Sequence, residues 1–198
     1  MVYRLSILIL KIIFFFLLDI NVKGKENVPS EGAAILASNH ISLMDAPLIA
    51  VTINRRLSAY AKKSVFNSRL KLWYLKSMGG IPVQTEKINR ELITKTKQIF
   101  DSGKMLIVFP EGKIYHNGEP GEFKDGFLRI AVQFKVPIIP VTIKGTEKSL
   151  GKGQKFPRPA KVEIIYGEPL KFNNVDGRFT KEEIQQAIDE VKKRIQKT

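Results

Sequence analysis

The chain has 198 residues, enough for one domain with a sizeable core. It has no Cys and two His, His40 and His116, which excludes disulfides, thiolate metal sites, a Cys nucleophile and a His-rich metal centre. With 33 Lys and Arg against 19 Asp and Glu the formal charge is +14 and the sequence pI about 9.9, an excess that calls for an anionic lipid surface or a nucleic acid as partner.

From Leu5 to Leu18 only Ser6 and Lys11 interrupt a run of Leu, Ile and Phe. As a helix this run is about 21 Å long, short of the ~30 Å hydrocarbon core of a bilayer. Lys11 stands at its middle, where a spanning helix tolerates a charge least. Arg4 and Lys11, seven apart, share a helix side and can reach head groups together. A buried core helix has the same length, and a signal peptide the same flanks, but Asp19-Ile20-Asn21-Val22-Lys23 offers no small-x-small cleavage site. The reading is a membrane-associating helix over residues 1–20, interfacial or re-entrant, ahead of one domain over 21–198. No helix-turn-helix, zinc-finger or aromatic RNA platform accompanies the basic residues, so lipid is expected and nucleic acid is not.

Residues 20–23 alternate weakly, and Lys23 to Pro29 reads as a turn. Ala33 to Ala37 is a short buried strand ending at Ser38-Asn39-His40. Asp45 can cap a helix that begins Ala46-Pro47, where Pro costs little, and runs to about Ile53. Leu57 to Ala61 is a second strand leading into Lys62-Lys63. Asn67 to Ser77 has helical spacing in Leu70, Trp73 and Tyr74, broken by Met78-Gly79-Gly80 before a strand at Ile81–Val83. Lys87 to Phe100 is an amphipathic helix. Met105 to Phe109 is a buried strand, His116 to Gly121 a loop, Phe127 to Phe134 a helix and Ile138 to Ile143 another buried strand. Val162 to Tyr166 is a late strand and Lys181 to Lys197 a terminal helix. Short buried strands alternating with helices predict an α/β fold, a single domain with a mixed, largely parallel sheet flanked by helices.

Two phrases carry chemistry. Asn39-His40-Ile41-Ser42-Leu43-Met44-Asp45 places an imidazole and a carboxylate five positions apart. On one regular helix they would lie about 140° apart, so they meet only if the chain turns between them. A strand end, a loop and a helix start supply that turn. A His near its ordinary pKa is suited to take a hydroxyl proton, and a carboxylate on its other ring nitrogen fixes the tautomer. Phe109-Pro110-Glu111-Gly112 follows a second buried strand, where Pro ends the ladder and Gly permits close ligand approach. Taken singly, each phrase also reads as an ordinary turn with a capping or exposed carboxylate.

In this order and about 70 residues apart, the phrases resemble the His-x4-Asp and Pro-Glu-Gly motifs of the glycerolipid acyltransferases, above all the lysophosphatidate acyltransferase family. Ala61-Lys62-Lys63, Gly79-Gly80-Ile81-Pro82-Val83, Phe123-Lys124-Asp125-Gly126 and Val136-Pro137-Ile138-Ile139-Pro140-Val141 are similar to further family segments. The resemblance covers roughly residues 22 to 145 and stops at Gly145. It implies His40 as general base, Asp45 as its orienting partner, and Asn39, Glu111 and Gly112 in the substrate-binding set. It further implies acyl-CoA or acyl-carrier protein as donor, lysophosphatidic acid as acceptor, no metal, no bound cofactor, and a cell-membrane enzyme facing the cytoplasm. Two family arginines credited with holding the acceptor phosphate are missing, since Gln84-Thr85 follows Val83 and Lys113-Ile114 follows Gly112. Lys62 and Lys113 are the expected substitutes, with Lys87 and Lys124 in reserve; a point charge does not reproduce the planar fork of Arg. Glycerol 3-phosphate or a lyso-aminolipid therefore stays open as acceptor, as does a non-catalytic module that binds anionic lipid. A serine hydrolase lacks its Gly-x-Ser-x-Gly elbow.

Overall fold

A computed structural model describes residues 2–83, 89–115, 121–172 and 180–197. Its centre is a seven-stranded sheet of β1 (Leu18–Lys23), β2 (Ile35–Ser38), β3 (Leu57–Lys62), β4 (Gly80–Val83), β5 (Met105–Val108), β6 (Ile138–Lys144) and β7 (Ala160–Tyr166), in the order β1-β7-β6-β2-β5-β3-β4. All pairings are parallel except β6 with β7. The helices are α1 (Val2–Leu17), α2 (Asp45–Thr52), α3 (Arg69–Ser77), α4 (Arg90–Asp101), α5 (Gly126–Phe134), α6 (Thr146–Ser149) and α7 (Lys181–Lys197).

The central strands β2, β5 and β6 are near-continuous apolar runs because helices cover both faces. Successive side chains point to opposite faces, so neighbours in one strand feed different cores. Leu36, Met105, Ile107, Ile139 and Val141 pack with Leu48 and Ile49 of α2 on one face. Ile35, Ala37, Leu106 and Ile138 pack with Leu128 of α5 and Val191 of α7 on the other. Pro140 sits inside β6 without breaking it. Its carbonyl accepts from Gly167 N just past the end of β7, outside the regular β6–β7 ladder.

Two local readings shift. The weak alternation at 20–23 is the end of a full strand, because Leu18 to Lys23 pairs in register with Ala160 to Ile165. The N-terminal helix accordingly stops at Leu17, and Leu18, Asp19 and Ile20 belong to the sheet. The second shift concerns Leu70, Trp73 and Tyr74: α3 forms as the spacing predicts, yet the three lie exposed and α3 has no buried side chain. His116, Lys87 and Gln84-Thr85 lie outside the described residues.

The helix α1 packs on α2 through Phe14, Leu10 and Leu17. Its Tyr3 hydroxyl donates to Arg55 O and accepts from Leu57 N. The opposite side, with Leu5, Leu8, Ile12, Ile13, Phe15 and Phe16, is exposed. Sixteen residues make about 24 Å, and no described helix is long and apolar enough to cross a membrane.

Leu36 is fully buried in the strand that leads to His40. Truncating it to Ala should cost about 2–5 kcal/mol of unfolding free energy, read from urea denaturation with an unchanged m-value.

Candidate active site

Strands β2 and β5 are adjacent and parallel, so the loops that leave their C-terminal ends emerge side by side. One loop carries His40 and the other Glu111. Three contacts tie them. The His40 ring stacks on Phe109 with centroids 3.9 Å apart and planes 15° from parallel. His40 N donates to Glu111 Oε1 at 3.3 Å, and Tyr115 N donates to His40 O at 2.8 Å.

The chain turns between His40 and Asp45 as the spacing requires. Asp45 opens α2 but does not cap it; its carboxylate folds back over the loop it has just left. Oδ2 lies 2.8 Å from His40 Nδ1 and also accepts from Ile41 N and Ser42 N, each at 2.8 Å. Oδ1 accepts from the Thr146 hydroxyl at 2.6 Å. Asp45 and Thr146 are wholly buried, while the His40 side chain is 17% exposed. With Nδ1 held by the carboxylate, Nε2 is the nitrogen left to exchange a proton with a ligand.

Thr146 was not legible in the sequence. It lies 101 positions from Asp45, at the start of α6, one residue past the end of the resemblance. Gly145 ahead of it has φ 92°, and a Cβ there would strike the Lys161 carbonyl, so the turn that delivers Thr146 depends on glycine.

Asn39 is committed to the fold. Its Nδ2 donates to Ile143 O and its Oδ1 accepts from Ile143 N, both at 2.8 Å, so the amide splices the end of β2 to β6. Both polar ends of the side chain that sequence reading gave to substrate are held by backbone. Ser42 is likewise engaged: its hydroxyl donates to Leu150 O and accepts from Met44 N.

Glu111 is buried, and its Oε2 has no hydrogen-bond partner among the described residues. Burial holds the carboxyl above the ordinary carboxylate range, and the amides of His40 and Gly121 pull it back in part. This oxygen is an unused acceptor within the loop that is tied to His40. Gly112 has φ 68°, a turn that bends the chain away immediately after the carboxylate. Lys113 is exposed, with its ammonium 4.8 Å from the Tyr115 ring centroid. Lys62 is exposed at the end of β3, on the same edge of the sheet but one strand further out. Among the described residues no three His, Asp or Glu side chains are grouped to hold a metal.

A largely parallel α/β sheet thus carries, at the C-terminal edge of its central strands, a His–carboxylate pair and a buried glutamate, a set of groups suited to general-base chemistry. The profile of the acyltransferase family matches residues 19–144, nearly two thirds of the sequence, and the chain belongs to that family. The chain is similar to a probable 1-acyl-sn-glycerol-3-phosphate acyltransferase of Mycoplasma pneumoniae, 32% identical over 195 residues that cover 89% of this chain and 71% of that protein. It also resembles the chloroplastic 1-acyl-sn-glycerol-3-phosphate acyltransferase LPAT1 of Arabidopsis thaliana, 26% identical over 161 residues covering 79% of this chain and 45% of the relative. It spans about half the length, 45% to 50%, of three plant relatives that it matches. The crystal structure of the 1-acyl-sn-glycerophosphate (LPA) acyltransferase PlsC from Thermotoga maritima superposes with a TM-score of 0.80 at 30% identity, covering 98% of this chain and 78% of that one.

Two stability measurements probe the site. Thr146→Val strips Asp45 Oδ1 of its donor inside the core and should cost about 1–3 kcal/mol, with Thr146→Ser restoring most of it. For Glu111 the folded state binds the carboxyl proton more tightly than the unfolded state, so stability is lost as pH rises from the ordinary carboxylate value through the raised one. Glu111→Gln should therefore be more stable than the parent at about pH 7.5, and this advantage should shrink by about pH 4, compared by urea midpoints.

Proposed function

We propose that the chain transfers a fatty acyl group from acyl-CoA or acyl-carrier protein to the sn-2 hydroxyl of 1-acyl-glycerol 3-phosphate, giving phosphatidic acid and the free thiol. The observation that carries the reading is the buried Asp45 carboxylate on His40 Nδ1, which leaves Nε2 for an alcohol beside Glu111. The family and the names of the relatives support the same chemistry.

In this mechanism Nε2 of His40 takes the hydroxyl proton as the oxygen attacks the thioester carbonyl. Asp45 stabilises the imidazolium and keeps the ring in place. When the tetrahedral intermediate collapses, the C–S bond breaks and the imidazolium returns its proton to the thiolate, so no net charge or atom is left over. The oxyanion needs N–H donors. Those of His40, Ile41 and Ser42 are already given to Glu111 and Asp45, so the oxyanion draws on other amides. Glu111 receives a polar group of the acceptor through Oε2, and Gly112 keeps the approach open. Lys113 and Lys62 supply positive charge for the acceptor phosphate, and no metal or bound cofactor takes part.

The acceptor is a membrane lipid, and the outward side of α1 supplies a surface for it. We place this helix in one leaflet of an anionic membrane at the cytoplasmic face, where the donor is found. The +14 charge suits that surface.

Acyl transfer from labelled acyl-CoA to lysophosphatidic acid in anionic vesicles tests the proposal. His40→Ala should lower kcat by about 10²- to 10⁴-fold with KM little changed. A variant within twofold of the parent would remove His40 as the base. A parent chain active only on glycerol 3-phosphate or a lyso-aminolipid would move the acceptor.

A further inference from the structure

The exposed large apolar side chains of the described residues are not scattered. Apart from Leu43 and Phe156 they fall in two places, α1 and the stretch from Val65 to Tyr74. In that stretch Leu72 and Leu75 are half-buried, while Leu70, Trp73 and Tyr74, spaced i, i+3 and i+4, are 73%, 56% and 40% exposed. Val65, in the 3-10 turn Lys63–Phe66 ahead of the helix, is 49% exposed. A core helix would have turned this stripe inward.

The charge around it has one sign. No Asp or Glu occurs from Ala46 to Thr85, and Lys62, Lys63, Arg69, Lys71 and Lys76 frame the stripe, all exposed. Aromatic and aliphatic side chains inside a rim of ammonium and guanidinium groups match the boundary between acyl chains and anionic head groups.

Its placement agrees with α1. The connections β2–α2–β3 and β3–α3–β4 join parallel strands and step along the sheet in the same direction, so right-handed crossovers put α2 and α3 on one face. That is the face on which α1 packs over α2. The turn Lys63–Phe66 leaves the C-terminal end of β3, the same edge from which the His40 loop leaves β2. Leu43, between His40 and Asp45, is itself 71% exposed.

We infer that the Val65–Tyr74 stretch is a second lipid-docking element, seated in the head-group and upper acyl region of an anionic bilayer. Together with α1 it fixes how the molecule sits, with the His40 loop against the lipid surface. The inference rests on the membrane attachment proposed for α1 and adds a contact that no acyl-transfer chemistry requires.

Trp73 is the only tryptophan, so emission excited at the red edge of the tryptophan band, where tyrosine does not absorb, reports this patch alone. The full chain is mixed with vesicles of phosphatidylglycerol and phosphatidylcholine, with and without brominated acyl chains. The expected result is a blue shift and quenching by the brominated lipid. Leu70→Glu, at an exposed position, should keep the far-UV spectrum and weaken vesicle affinity about tenfold or more. Pelleting with vesicles while Trp73 keeps its aqueous, unquenched emission overturns the inference, and so does a failure to pellet. A blue shift that appears without lipid and grows with protein concentration also overturns it, by showing that a second copy covers the patch. Acyl transfer scored on the same vesicles keeps the readings apart: product without Trp73 insertion removes only the docking element, and insertion without product removes only the reaction.

Discussion

Asp45 is a carboxylate with no exposed surface, and it holds the active-site region together. Placing such a group in the interior costs several kcal/mol unless donors replace its water. Here the imidazole of His40, the amides of Ile41 and Ser42 and the hydroxyl of Thr146 do so. One anion thereby fixes the ring tautomer, shapes the loop between β2 and α2, and draws the start of α6 against it. With the loop amides committed to the carboxylate, ring and carboxylate are held in one fixed arrangement.

The second constraint is the parallel pairing of β2 with β5. It sets two loops 71 residues apart in sequence next to each other, after which local contacts finish the job: a ring stack, and two hydrogen bonds running in opposite directions between His40 and the Glu111–Tyr115 segment. Asn39 performs the same service on the other side by splicing β2 to β6. Glu111 is the exception to this economy. It is buried with one oxygen unpaired, a cost to stability of the kind that persists where a ligand later supplies the partner.

The surface repeats the theme at lower resolution. An α/β domain of this size has enough polar residues to cover its helices, yet α1 and α3 turn apolar stripes outward beneath a strongly basic composition. Water alone gives no reason for that arrangement. The lipid docking proposed for both helices gives one.

Much of this was legible in residue type and spacing. The short apolar runs Ala33 to Ala37 and Met105 to Phe109 read as interior strands, and the five-residue spacing of His40 and Asp45 required a turn that a strand end and a helix start provide. Both are local properties, set by side-chain type and by the repeat of the backbone. What the tertiary structure alone decided is where distant groups meet. Thr146 reaches Asp45 only because β6 lies beside β2, and no periodicity announces a partner 101 positions away. The pairing of the Asn39 amide with the Ile143 backbone is likewise a long-range contact, 104 positions apart. The stripe on α3 has the helical spacing of a core face, and only the position of β4 at the sheet edge leaves that stripe uncovered. Periodicity tells which residues share a side of an element; which side meets solvent, lipid or core is fixed by the neighbours, and those are chosen by long-range pairing.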